Sequence, residues 1–151
     1  MRRPHVMIVE DDPDALVMLR VTLETAGFDT SLAADGGTAI RRIAAEKPDI
    51  VLLDLALPVL DGWAVLAELG LWTQSPPVVV CSAKEHPRDR ARAFDMGATE
   101  YVAKPFEVED LIEALRSVLA SHPGVALDLS LDGLGRAFGL GVAGNEGLEP
   151  A

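Results

Sequence analysis

The sequence predicts a doubly wound α/β domain on a five-stranded parallel sheet. Three observations predict it. Strand-like and helix-like segments alternate five times along the chain. The strand-like runs are short, aliphatic and rich in β-branched residues, without polar alternation, as expected of strands covered on both faces. Most of these runs end in a residue that carries chemistry: Glu10 and Asp11, Asp54, Ser82, Lys104. Parallel strands place such residues on one edge of the sheet, where open α/β sheets bind ligands.

The elements follow in order. Val6-Met7-Ile8-Val9 is the first strand and ends in Glu10-Asp11. Asp12-Pro13 offers an N-cap and a proline at the first helical position. Leu16, Leu19 and Leu23 mark an inward helical face, and Gly27 marks a stop. Residues 28–33 read as the second strand. Asp35-Gly36 opens a helix with Ile40, Ile43 and Ala44 inward, ended before Pro48. Ile50-Val51-Leu52-Leu53 is the third strand and ends at Asp54. A proline-containing loop precedes a helix over 62–69, and Pro76-Pro77 blocks its continuation. Val78-Val79-Val80-Cys81 runs into Ser82. A helix over 87–96 stops at Gly97. The fifth strand, Glu100-Tyr101-Val102-Ala103, delivers Lys104-Pro105-Phe106. Val108, Leu111, Ile112, Leu115, Val118 and Leu119 then share one face of a last helix.

If the first and third strands are neighbours, Glu10, Asp11 and Asp54 converge without a counter-charge in their own runs. Such a cluster calls for a cation, and hard oxygen ligands at this charge density suit Mg²⁺. Ser82 and Lys104 would lie on the same edge. A cation, an ammonium and a hydroxyl together make a site for a phosphoryl group.

These motifs resemble the receiver domain of two-component response regulators over residues 4–120. They are Glu10-Asp11, Asp54 followed by Pro58 and Asp61-Gly62, Ser82-Ala83, and Lys104-Pro105-Phe106 with Tyr101 three residues before the lysine. Each is weak alone; in this order at strand ends they are specific. The resemblance implies the strand order 2-1-3-4-5 of the flavodoxin-like receiver fold. It implies that Asp54 is the phosphoacceptor and that Glu10, Asp11, Asp54 and the backbone carbonyl of Ala56 hold Mg²⁺. It makes Lys104 the contact to the phosphoryl oxygens, aimed by a cis Lys104-Pro105 peptide. Ser82 and Tyr101 become a switch pair, the tyrosine moving inward once the phosphoryl group draws in Ser82. The donor would be a histidine kinase or histidine phosphotransfer protein docked on the outward side of the first helix, at Ala15, Met18 and Thr22. A downstream protein target would read the face of the fourth helix, fifth strand and fifth helix. Arg90, Asp110 and Glu100 stand where dimerising receivers place cross-subunit ion pairs, but Ala114 stands where a base would answer Glu100. The expectation is therefore at most a weak, phosphorylation-favoured homodimer.

Composition bounds the reading. The 151 residues are 49% apolar, enough for one buried core, and carry a net charge of −11. With a pI near 4.5, this domain is not expected to bind nucleic acid directly, which requires a basic face. No apolar run approaches a membrane span. Arg2 and Arg3 are followed by acids within ten residues, unlike a signal peptide. The expected setting is cytoplasmic, with the lone Cys81 a buried, inert thiol. His5, His86 and His122 show no metal spacing and read as surface residues; Trp63 and Trp72 read as packing. Residues 1–121 form the receiver unit. Residues 122–151 hold seven of the 13 glycines and read as a flexible tail or a marginal hairpin around Asp132-Gly133.

Two rivals stand beside the stand-alone phosphoacceptor. One is a receiver fragment of a longer DNA-binding transcriptional regulator. The other is a Mg²⁺-dependent phosphatase of similar build, which needs a second carboxylate two residues after its nucleophile; Ala56 stands there instead. By the resemblance both Ala56 and Lys84 occupy positions that tune phosphoryl lifetime. Ala56 offers no polar side chain to position an attacking water, and Lys84 stands where an acid or amide could assist hydrolysis, so the lifetime is left open with a lean toward long.

Overall fold

The computed structural model describes residues 2–84 and 86–122, so the tail or hairpin reading of 122–151 lies almost wholly outside the described residues. Pro4–Ser121 is one compact unit. Five strands, β1 (His5–Val9), β2 (Asp29–Ala33), β3 (Ile50–Leu53), β4 (Val78–Ser82) and β5 (Glu100–Ala103), alternate with five helices. The helices are α1 (Pro13–Thr25), α2 (Gly36–Glu46), α3 (Gly62–Gly70), α4 (Pro87–Asp95) and α5 (Val108–Ala120). The sheet is parallel throughout, in the order β2-β1-β3-β4-β5. The predicted fold class and strand order are thus the observed ones.

The central strands explain their own composition. Val6 to Val9, Ile50 to Leu53 and Val78 to Cys81 are all buried, so neither face tolerates a polar alternation. On one face Met7, Val9, Val51, Leu53, Val78 and Val80 pack with Ala39 and Ile43 of α2, Val65, Leu66 and Leu69 of α3, and Ala93 of α4. Strand alternation turns Val6, Ile8 and Leu52 to the opposite face. Leu19 and Leu23 of α1 and Leu111, Leu115 and Leu119 of α5 are buried as well.

Four of the five helix starts are set by side-chain caps, each satisfying a backbone N–H that the helix leaves unpaired; Glu107 at the start of α5 makes no such bond. Asp12 accepts from Asp14 N at 3.1 Å, Asp35 from Thr38 N at 2.8 Å, and Asp61 from Ala64 N at 2.9 Å. The cap of α4 is His86, whose Nδ1 accepts from Arg88 N at 3.0 Å. His5 is likewise more than a surface residue: its Nε2 meets Ser31 Oγ at 2.7 Å, and Ser31 in turn donates to Glu46.

Three helix positions differ from the sequence reading. Ala44 of α2 is exposed, whereas Ile43 is buried and Ile40 packs half-buried on the core, joined on the inward side by Gly36 and Ala39. Val108 is exposed at the first turn of α5, ahead of the point where that helix meets the sheet. Leu16 is half-buried, with Leu19 and Leu23 forming the buried contact of α1.

Candidate functional site

Register builds the site. Val9 pairs with Leu53, so the residues that follow, Glu10 and Asp54, leave neighbouring strands at the same level. The Asp54 N–H donates to the Val9 carbonyl at 3.0 Å and extends the ladder to the site itself. Farther along the edge, Ser82 pairs with Ala103, and Lys104 N donates to the Ser82 carbonyl at 2.9 Å. Four strands thus deliver their terminal residues to one rim.

Glu10, Asp11 and Asp54 each bring a carboxylate oxygen within 4.8 Å of the others. Glu10 and Asp54 are buried and Asp11 is exposed. The Lys104 Nζ lies 2.7 Å from Glu10 Oε1 and 3.3 Å from Asp54 Oδ2, and the Lys104-Pro105 peptide is cis. Partial burial opposes the ammonium's charge, but the hydrogen bond to Glu10 and the charges of Asp54 and Glu10 outweigh it and hold Lys104 above the ordinary lysine value. One ammonium faces three carboxylates, so the cluster keeps an excess of acceptor oxygens open toward solvent through Asp11. That donor set fits a hard divalent cation such as Mg²⁺. The other Asp54 oxygen, Oδ1, accepts from Ala56 N at 3.1 Å.

The loop after Asp54 is shaped by two residues. A Cβ on Gly62 would stand 2.3 Å from the Asp54 carbonyl oxygen and 2.4 Å from Leu55 Cα. Only glycine lets the start of α3 sit this close to the backbone of the site. Val59, three residues earlier, adopts a left-handed φ of 66° and is almost fully exposed. A β-branched residue is strained in that region.

Ser82 and Tyr101 meet through Lys84. The Lys84 N–H donates to Ser82 Oγ at 3.2 Å, and the Tyr101 hydroxyl donates to the Lys84 carbonyl. Tyr101 is buried, with 5% of its surface exposed. Its ring is turned inward and packs with the core. Burial pushes its phenol up, the Ser82 hydroxyl beside it acting in the opposite sense. Cys81 is buried next to the site and its thiol is pushed up to about 12, chiefly by burial, so it carries no thiolate chemistry.

On α1, Met18 is exposed while Ala15 and Thr22 are half-buried, with Thr22 Oγ1 donating to Met18 Sδ at 3.8 Å. The exposed apolar stripe is Val17, Met18 and Val21. The two valines were not singled out from sequence, although their spacing of four was the available signal. His86 and Arg90, which hold α4 and its contact to β5, were also missed as local determinants. Trp63 and Trp72 both pack on the core, as expected.

The response regulator receiver domain family model matches residues 6–116. This chain belongs to that family. The transcriptional regulatory protein PrrA of Mycobacterium leprae is 35% identical over 127 residues, covering 84% of this chain and 54% of that protein. The transcriptional regulatory protein KdpE of Mycobacterium tuberculosis is 36% identical over 121 residues, 80% of this chain and 53% of the relative. The receiver spans about half the length of both. Among solved structures, the BeF3-activated N-terminal receiver domain of Klebsiella pneumoniae RstA shares 32% identity at a TM-score of 0.71, covering 76% of this chain and 97% of that one. The chemotaxis protein CheY4 of Vibrio cholerae shares 27% identity at a TM-score of 0.73, over 78% and 99%. The receiver carries the acidic pocket at which its family generally binds Mg²⁺. No helix among its described residues is long and apolar enough to cross a membrane.

Proposed function

We propose that this receiver accepts a phosphoryl group on Asp54 from a histidine kinase or histidine phosphotransfer protein and switches a protein-binding surface in response. One observation supports this most strongly: three carboxylates within 4.8 Å of one another, with the Lys104 ammonium 2.7 and 3.3 Å from two of them. An Asp54 oxygen attacks the phosphorus of the donor's phosphohistidine. The P–O bond forms as the P–N bond breaks, and the imidazole nitrogen keeps the electron pair. Mg²⁺ bound by Glu10, Asp11, Asp54 and the Ala56 carbonyl would neutralise phosphoryl charge. Lys104 would contact one phosphoryl oxygen, and Ser82 would donate a hydrogen bond to another. The exposed stripe around Met18 on α1, with Ala15 and Thr22 beside it, docks the donor in the cytoplasm. The domain is a phosphoacceptor rather than a turnover enzyme; its own chemistry is limited to labelling by small donors and slow self-dephosphorylation.

Acetyl phosphate with Mg²⁺, followed by peptide mapping in a mass spectrometer, tests the assignment. Asp54 should carry the adduct, and Asp54→Asn should abolish it. Labelling of the variant at the wild-type level refutes the acceptor.

A second reading has its own support. The matched relatives are transcriptional regulators about twice the length aligned here. The receiver would then be the switch of a longer DNA-binding regulator. The length of the open reading frame decides between the two.

A further inference from the structure

Tyr101 sits on β5, the edge strand of the sheet, which pairs only with β4, so no strand backs the other side of its backbone. Arg90 of α4 reaches it instead. The guanidinium carbon lies 5.5 Å from the centre of the Tyr101 ring and 5.5 Å from that of Phe94. One arm, Nη1, donates to the Tyr101 carbonyl at 3.2 Å. The other, Nη2, lies 3.8 Å from Glu100 Oε1, which itself accepts from Tyr101 N at 3.0 Å. The side chain is half-exposed, so these contacts rest on geometry rather than on deep burial.

We propose that Arg90 is the positioning residue of the Tyr101 switch, stacking on its ring and bridging its backbone so that the phenol stays inward against the Lys84 carbonyl. A flat guanidinium suits the task, because it stacks on a ring and donates in its own plane at once. The position expected to serve an intersubunit pair is here engaged within the chain. Ala114 leaves Glu100 without a base on α5, and Glu100 turns to Arg90. A dimer that recruited Arg90 to Asp110 of a partner would have to lift it off the tyrosine. The functional weight of the proposal rests on the reading of Tyr101 as the switch; the contact itself does not.

Tyr101 is the chain's single tyrosine, so ring-labelled tyrosine gives one set of resonances. The phenol can also be titrated by ultraviolet absorbance in the full chain. Burial chiefly, and Asp89 after it, push this phenol up, while Ser82 and Arg90 pull it down. In Arg90→Ala, loss of charge alone would therefore raise the phenol further. Release of the ring into water would instead lower it toward the ordinary tyrosine value and move the ring resonances toward those of a solvated side chain. The proposal predicts the second result. It also predicts that Arg90→Lys restores the inward signature only in part. Acetyl phosphate labelling of Arg90→Ala should slow by about two- to fivefold, the size of one exposed cation–π contact.

Thermal unfolding checks that each variant is folded; if Arg90→Ala is not, Arg90→Gln serves in its place. A folded variant with unchanged ring resonances, or with a raised phenol, overturns the proposal. Failure of the wild type to label at all would instead strike the phosphoacceptor reading and leave the ring result standing.

Discussion

Lys104 carries the electrostatics of the site. It supplies the ammonium that compensates buried Glu10 and Asp54, and those charges hold it above the ordinary lysine value. Replacing it by methionine leaves two buried carboxylates uncompensated. Without metal, Lys104→Met should lose about 1–3 kcal/mol of stability in a urea titration, and saturating Mg²⁺ should recover part of it. If Mg²⁺ stabilised neither the wild type nor the variant, the cluster would not hold the ion. Val59 offers a test in the opposite direction. Its left-handed φ costs a β-branched residue about 1–3 kcal/mol, whereas glycine costs about 0.5–1 kcal/mol in chain entropy. Val59→Gly should therefore stabilise the fold, by up to about 2.5 kcal/mol. At this scale the sequence was informative where chemistry ended an aliphatic run: Glu10, Asp54, Ser82 and Lys104 were all legible. Arg90 was not. Its partners come from α4 and β5 together, and no local pattern announces a guanidinium laid across a ring 11 residues downstream.

The helices divide the same way. α1 was legible in its cap and its buried Leu19 and Leu23, because Asp12-Pro13 and a leucine stripe are strong local signals. In α2 the sequence places Ile40 and Ile43 inward, where they pack, but also Ala44, which is exposed. Ala39, Ile40, Ile43 and Ala44 are all small or apolar, and only packing against α3 and the sheet decides which of them face inward. α4 is mostly polar, so neither its His86 cap nor its single buried Ala93 leaves a periodic trace. Removing the His86 cap by His86→Ala should cost about 0.5–2 kcal/mol, and amide exchange should quicken first in the opening turn of α4. On α1, a glutamate at Met18 should slow transfer from a phosphorylated histidine kinase that labels the wild type, while sparing labelling by acetyl phosphate. Equal slowing of both reactions would instead show damage to the site.

The whole molecule is defined by its sheet and its charge. Glu46 lies below its ordinary value of 4.5, first through the Ser31 hydroxyl and then through Arg42; Asp35 is lowered by Thr38. Both bind protons less readily folded than unfolded. Their stabilisation is thus present above about pH 4.5 and is lost as the pH falls through the folded values. Ser31→Ala should flatten this acid limb and cost about 0.5–1.5 kcal/mol near neutrality, as read by thermal unfolding across pH. Self-association must overcome a net charge of −11, and Arg90 is already engaged within the chain. With Mg²⁺ and beryllofluoride, sedimentation should show at most a weak dimer.

The central claim is that the rim joining β1, β3, β4 and β5 is one metal-dependent phosphoacceptor site. Intact-mass measurement of the chain after acetyl phosphate treatment tests it most directly, with Mg²⁺ present or chelated, in wild type, Asp11→Ala and Asp54→Asn. A single phosphoryl adduct should form only in the wild type with Mg²⁺, nearly vanish in Asp11→Ala and be absent in Asp54→Asn. An adduct that survives both chelation and the loss of Asp54 would contradict the account.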